Sequence, residues 1–256
     1  MTLILTAHGT RRASGVAMVA DLAARVTELV SRPVHVAFVD VVGPTPSEVL
    51  SRLAAHSHGP AVVVPAFLSR GYHVRTDLPA HIAASGHPNV SVTPALGPSP
   101  DIARILCQQL VQSGWRPGDS VILGAAGTSD ELARNDLHTT AALLSALTGA
   151  RVELGFAATG APTVQDAVAA ARRRGAHRVV VASYLLADGL FQQRLHASGA
   201  DLVTEPLGTH PGLPRLIASR FRRAMPRRFL TARPHRLPNC VEHKGLLPWP
   251  ASTSGA

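Results

Sequence analysis

The chain has 256 residues, 46% hydrophobic and 16% charged, with 20 prolines and 21 glycines; this excludes a fibrous or largely disordered protein and sets one or two globular domains as the expectation. Two cysteines, Cys107 and Cys240, exclude a disulfide framework and any all-thiolate zinc or iron–sulfur site within one chain, and fit a reducing cytoplasm. The formal charge of +9 is uneven: residues 215–256 hold nine basic groups against Glu242 alone, which leaves 16 basic and 15 acidic groups in residues 1–214. No nucleic-acid partner is expected for so balanced a body. The only lysine, Lys244, precedes Gly245, so a P-loop nucleotidase is excluded as well.

The opening segment, Met1 to Arg12, lacks the order of a signal peptide, in which charge precedes a longer apolar stretch, and no apolar run reaches about 18 residues. The expectation is a cytoplasmic protein, neither exported nor membrane-spanning. Short Val/Ile/Leu runs alternate with Ala-rich stretches of helical period, the pattern of strands buried on both faces between helices. Leu3 to Thr6 reads as the first strand. A helix follows, with Val19, Leu22, Val26 and Leu29 at three- and four-residue steps. Val34 to Phe38 is the second strand, and Thr45-Pro-Ser-Glu48 starts the second helix with a capping-box spacing. Ala61 to Pro65 and Val90 to Thr93 are further strands, and Ser99-Pro-Asp101 begins another helix.

The second half repeats the first. Leu5-Thr-Ala-His-Gly-Thr10 is echoed by Leu123-Gly-Ala-Ala-Gly-Thr128, and Phe38-Val-Asp-Val-Val-Gly-Pro-Thr45 by Phe156-Ala-Ala-Thr-Gly-Ala-Pro-Thr163, both 118 residues on. Leu96-Gly-Pro-Ser-Pro100 returns as Leu207-Gly-Thr-His-Pro211, 111 residues on. The fold class expected is α/β: two similar open parallel-sheet domains, flavodoxin- or Rossmann-like, related by internal duplication. Residues 1–116 form the domain with the site, 117–225 a degenerate repeat, and 226–256 a basic, proline-rich tail expected to be poorly ordered.

The copies act as mutual controls. His8 becomes Ala126, Asp40 becomes Ala158, and His73 falls opposite Leu190 or Phe191 according to a one-residue gap, while the glycines and strand residues around them persist. Each lost group follows a predicted strand or lies in the loop after it, so all three project toward the carboxyl ends of the strands, where open α/β sheets place ligands. Two imidazoles and a carboxylate suit a divalent first-row metal, and a histidine also accepts protons near neutrality.

These segments resemble the CbiX/SirB sirohydrochlorin chelatases of the class II chelatase superfamily. The resemblance rests on Leu5-Thr-Ala-His-Gly-Thr-Arg-Arg12, Phe38-Val-Asp40 and, most specifically, Val64-Pro-Ala-Phe-Leu-Ser-Arg-Gly-Tyr-His-Val-Arg-Thr-Asp-Leu-Pro79, and it covers residues 1 to about 225 in a two-domain form. It implies that His8 and His73 handle the metal and the pyrrole protons as catalytic residues and metal ligands. Asp40 joins them where relatives often carry Glu. It further implies sirohydrochlorin as substrate, no permanently bound cofactor, and Fe2+ (toward sirohaem) or Co2+ (toward cobalamin) entering as substrate, iron being the first choice. Tyr72 and the arginines flanking the histidines, Arg11, Arg12, Arg70 and Arg75, are candidates to bind the carboxylate-fringed ring. A monomer with pseudo-two-fold symmetry or a weak homo-oligomer is expected.

Other features have plainer readings. His-Gly-Thr after a first strand also resembles the histidine phosphatases, but those place Arg before the histidine and Ala7 stands here. His56-Ser-His58 reads as a solvated loop, Arg172-Arg-Arg174 as a complement to a helix dipole, and Cys107 as core. A non-catalytic metal or tetrapyrrole carrier using the same histidines is the remaining alternative.

Overall fold

The computed structural model describes residues 1–55 and 59–226; the expectations for His56, His58 and the tail from residue 227 lie outside them. The first half runs β1 (Thr2–Ala7), α1 (Ala13–Val30), β2 (Val34–Phe38), α2 (Pro46–Ala54), β3 (Ala61–Pro65), α3 (Leu78–Ala84), β4 (Val90–Val92) and α4 (Pro100–Gln112). The second runs β5 (Ser120–Gly127), α5 (Glu131–Thr148), β6 (Val152–Thr159), α6 (Val164–Arg173), β7 (Val179–Tyr184), α7 (Leu190–His196), β8 (Leu202–Val203) and α8 (Gly212–Ala224). Two parallel four-stranded sheets result, in the orders β2-β1-β3-β4 and β6-β5-β7-β8. The α/β class and the two similar sheets agree with the sequence reading.

The strands are continuous apolar runs because each face meets a different core. Leu3, Leu5, Val62 and Val64 enter a core that continues through Val121, Leu123, Val180 and Ala182 of the second sheet. Ile4, Ala61 and Val63 turn the other way, onto Leu50 of α2 and Leu78 of α3. Along α1, Val19, Leu22 and Val26 are buried as expected, but Leu29 is 37% exposed. At 3.6 residues per turn the stripe passes from Val26 to Val30, which packs on the core instead.

The last helix of each half crosses over. Helix α4 packs on α5 and β7, and α8 packs on α1 and β3, so each sequence half covers the other's sheet. The matched glycines before these helices have a common reason. A Cβ on Gly97 would overlap the Leu68 carbonyl oxygen and Tyr184 Oη, and one on Gly208 would overlap the equivalent Leu186 carbonyl oxygen and Met18 Sδ.

Helix punctuation also repeats. Thr45 Oγ1 accepts from Glu48 N at 3.3 Å while Glu48 Oε2 accepts from Thr45 N at 2.8 Å, the expected capping box. Thr163 Oγ1 accepts from Asp166 N at 3.1 Å. Ser99 Oγ accepts from Ile102 N at 3.3 Å ahead of α4, and His210 stands at Ser99's place ahead of α8. His210 Nδ1 accepts from Gly212 N at 3.0 Å, and its Nε2 is buried without a partner.

Burial, followed by repulsion from Arg215, lowers the His210 pKa below 6.5. Between the lowered and the ordinary value the unfolded chain binds a proton that the folded chain refuses. This contribution to stability is therefore intact above pH 6.5 and is lost as pH falls from there through the lowered value. His210→Ser, which borrows the first half's cap, is expected to flatten the acid-side decline of the melting temperature between about pH 7 and pH 5. A decline identical to that of the unaltered chain would refute the assignment.

Candidate functional site

The chain leaves β1 for β2 on one side and returns to β3 on the other, which makes the carboxyl ends of β1 and β3 a topological switch point. His8 is the residue after β1, Asp40 lies two beyond β2, and His73 opens a π-helical turn, His73–Asp77, that leads into α3. That turn replaces the loop expected from the sequence. One ligand atom from each of His8, Asp40 and His73 lies within 4.8 Å of the other two. The imidazoles meet edge to face, with centroids 4.4 Å apart and planes at 88°.

The local chain explains the convergence. Gly9 has φ +93°, and a Cβ there would overlap the Asp40 carbonyl oxygen; its counterpart Gly127, at φ +100°, abuts the Thr159 carbonyl oxygen in the same way. Only glycine lets these strand ends close up. Asp40 N donates to His8 O at 3.2 Å, and Asp40 Oδ1 accepts from Val41 N at 2.7 Å. Val41 adopts φ +70°, an unfavourable conformation for a β-branched residue, which costs about 1–3 kcal/mol and is retained where it presents a neighbour.

Hydrogen bonding fixes which atoms remain available. His8 Nδ1 lies 3.1 Å from the Gly9 carbonyl oxygen, which can only accept, so Nδ1 carries the hydrogen and Nε2 keeps its lone pair. His73 Nδ1 lies 2.6 Å from Asp77 Oδ2, and the same reasoning leaves its Nε2 free. Asp40 retains Oδ2. Two imidazole nitrogens and one carboxylate oxygen form a hard-to-borderline donor set with room for further ligands.

A cleft of about 830 Å³ runs between the domains, within the range of small-molecule sites. His8, Arg11, Arg12, Tyr72 and His73 line it from the first domain, and Ala126, Ala158, Leu190 and Phe191 from the second; Asp40 stands beside the histidines without lining it. Pairing of Leu3 with Val62 and of Val121 with Val180 carries the 118-residue spacing into the third strand, which places His73 opposite Phe191. Arg11 and Arg12 are exposed, and neither guanidinium forms a salt bridge among the described residues.

Arg70 and Arg75 are placed differently from the ring-binding role expected of them. Arg70 donates to Asp136 of α5 through Nε at 3.1 Å and a terminal nitrogen at 2.6 Å, and its backbone N donates to the same carboxylate at 2.7 Å. Asp136 is buried, and bonding to it holds the Arg70 guanidinium above its ordinary pKa. Arg75 donates to Asp130 at 2.5 Å and to the Arg70 carbonyl at 3.0 Å. The Ala133 amide, then Arg75, keeps Asp130 below the usual carboxylate range. Tyr184 Oη completes the seam by donating to Leu68 O at 2.6 Å. Neither arginine lines the cleft; both tie the His73 segment to the second domain. Sequence reasoning missed Asp136, 66 residues from its partner, and Asp77, whose spacing from His73 becomes meaningful only once a helical turn runs between them.

A family model named CbiX matches residues 2–113 and again residues 120–224. A curated protein of Priestia megaterium, named sirohydrochlorin cobaltochelatase, is 28% identical over 172 residues, covering 63% of this chain and 56% of that protein; this chain thus spans a little over half the length of that relative. Among solved structures, SirB from Bacillus subtilis with Fe3+ superposes with a TM-score of 0.74 at 19% identity, covering 87% of this chain and 95% of that one. A CbiX described as the terminal enzyme for biosynthesis of siroheme in denitrifying bacteria gives 0.66 at 23% identity, over 88% of this chain and all of the other. At these identities the likeness is one of fold. Among the described residues no helix is long and apolar enough to cross a membrane. The model's two matches fall on the two halves set apart by their repeated strand ends, glycines and helix caps, and the chain belongs to the CbiX family.

Proposed function

We propose that the chain is a sirohydrochlorin chelatase that inserts a divalent first-row metal, Fe2+ by preference, into the tetrapyrrole with release of two protons, and that it holds no permanent cofactor. The observation that carries this reading is the meeting of His8, His73 and Asp40 at a cleft between two domains. Three protein ligands leave coordination positions open to ring nitrogens. Nitrogen and oxygen donors bind Fe2+ or Co2+ without the retention that a thiolate cage imposes.

As the metal passes to the ring, each Nε2 lone pair becomes free to accept a proton. Asp77 accepts the Nδ1–H of His73 and so holds that ring in the tautomer whose Nε2 can take the proton. Arg11 and Arg12 are free to pair with carboxylates at the ring's edge.

A second reading, Co2+ as the physiological metal, is favoured by the name of the curated relative. An anaerobic assay with sirohydrochlorin in excess over enzyme, run with Fe2+ and Co2+ in parallel, separates the possibilities. Many equivalents of product per chain with Fe2+ the faster ion are expected. Faster Co2+ insertion would support the second reading, a single stoichiometric equivalent would indicate a carrier, and no product with either ion would reject the proposal.

A further inference from the structure

We infer that Leu190 and Phe191 of the second domain form the wall that holds one face of the tetrapyrrole, so that the copy without metal-binding groups is the platform on which the ring waits for its metal. This deepens the chelatase reading and rests on it.

The duplication brings both sets of strand ends to one cleft. Ala126, Ala158 and Phe191 occupy there the positions that His8, Asp40 and His73 occupy in the first domain. Every replacement is apolar. They are small beside the two strand ends and large at the start of α7, where Leu190-Phe191 takes the place of Tyr72-His73.

Exposure points to a ligand. Leu190 is 47% and Phe191 39% exposed, although residues of these types are ordinarily buried. Val41 and Tyr72, also largely exposed, line the same cleft from the first domain. Large apolar side chains left in water on both walls of a concavity, with Arg11 and Arg12, which form no salt bridge among the described residues, beside them, suit a flat apolar body fringed with carboxylates. The nearby Asp188 carboxylate is turned onto the Gly189 amide, which donates to it at 2.8 Å.

The same wall explains why the second copy lost its donors. An imidazole at position 191, facing the metal across the ring, would become an axial ligand of the product and delay its departure. Phe191 supplies area for the ring and no lone pair for the ion.

The test uses metal-free sirohydrochlorin, followed by its fluorescence, together with Co2+ titration of the protein alone. The Leu190→Ala/Phe191→Ala double variant is expected to bind the ring at least about tenfold more weakly, as loss of two buried apolar contacts requires. Its Co2+ affinity and melting temperature should be unchanged, and Phe191→Leu should retain most of the ring affinity. Phe191→His is expected to give a burst of one equivalent of metallated ring followed by a slower phase. Wild-type ring affinity in the double variant would overturn the inference while leaving the chelatase reading standing. Failure of the unaltered protein to bind or metallate the ring would instead sink the reading beneath it.

Discussion

Replacing His8 by alanine is expected to lower the rate of metal insertion about a hundredfold, and His73→Ala to do the same, with the melting temperature nearly unchanged. Under the proposed function each substitution removes one Nε2 that would serve as metal ligand and proton acceptor, and loss of a positioned acid–base group alone is worth about 10²–10⁴ in rate. The molecule supplies its own structural control. Alanine already stands at the position equivalent to His8, and the glycine after it keeps the same positive φ, +93° at Gly9 and +100° at Gly127. The backbone therefore accommodates the smaller residue without rearrangement. His8 is exposed and the His73 side chain is 32% exposed, so neither substitution opens a core cavity. The double variant should be little worse than either single one, since groups acting as a unit lose their function together. Steady-state insertion of Fe2+ and Co2+, with a thermal melt for each variant, provides the measurement; near-normal turnover in both single variants would remove the site from the mechanism.

The parts of this site that were legible in the sequence are those for which chemistry and repetition coincide. Val34–Phe38 and Ala61–Pro65 agree with the strand limits to the residue, because strands covered on both faces stand out as unbroken apolar runs. The Thr45–Glu48 capping box could be read because the two halves of the device lie only three residues apart. His8, Asp40 and His73 emerged from comparing one copy with the other, and the shared spacing carried them to one edge of the sheet. What stayed hidden depended on contacts between distant segments. The apolar stripe of α4 or α8 is the same whichever sheet it covers, so the exchange of these helices left no trace in periodicity. Arg70 looked like a ring clamp because it flanks the motif, but its partner Asp136 sits on the first helix of the other domain, where it reads as an ordinary polar position.

Asp77 is the hidden residue with the largest expected consequence for metal handling. Its carboxylate lies 2.6 Å from His73 Nδ1, so it selects the tautomer that leaves Nε2 free and fixes the orientation of the ring. Asp77→Ala is expected to weaken Co2+ binding about 10–100-fold, the usual cost of removing such a partner. Asp77→Asn should recover part of the loss, because its carbonyl oxygen still accepts the Nδ1 hydrogen but carries no charge. A purely structural role predicts something different. The pair joins residues one helical turn apart, with side chains 32% and 26% exposed, and such pairs contribute only about 0.3–0.5 kcal/mol to stability. Melting temperatures should then move slightly and metal affinity not at all. Co2+ titration of the unaltered protein and the two variants, each paired with its melt, decides between the two roles, and an affinity in Asp77→Ala equal to that of the unaltered protein would show that His73 needs no positioning partner.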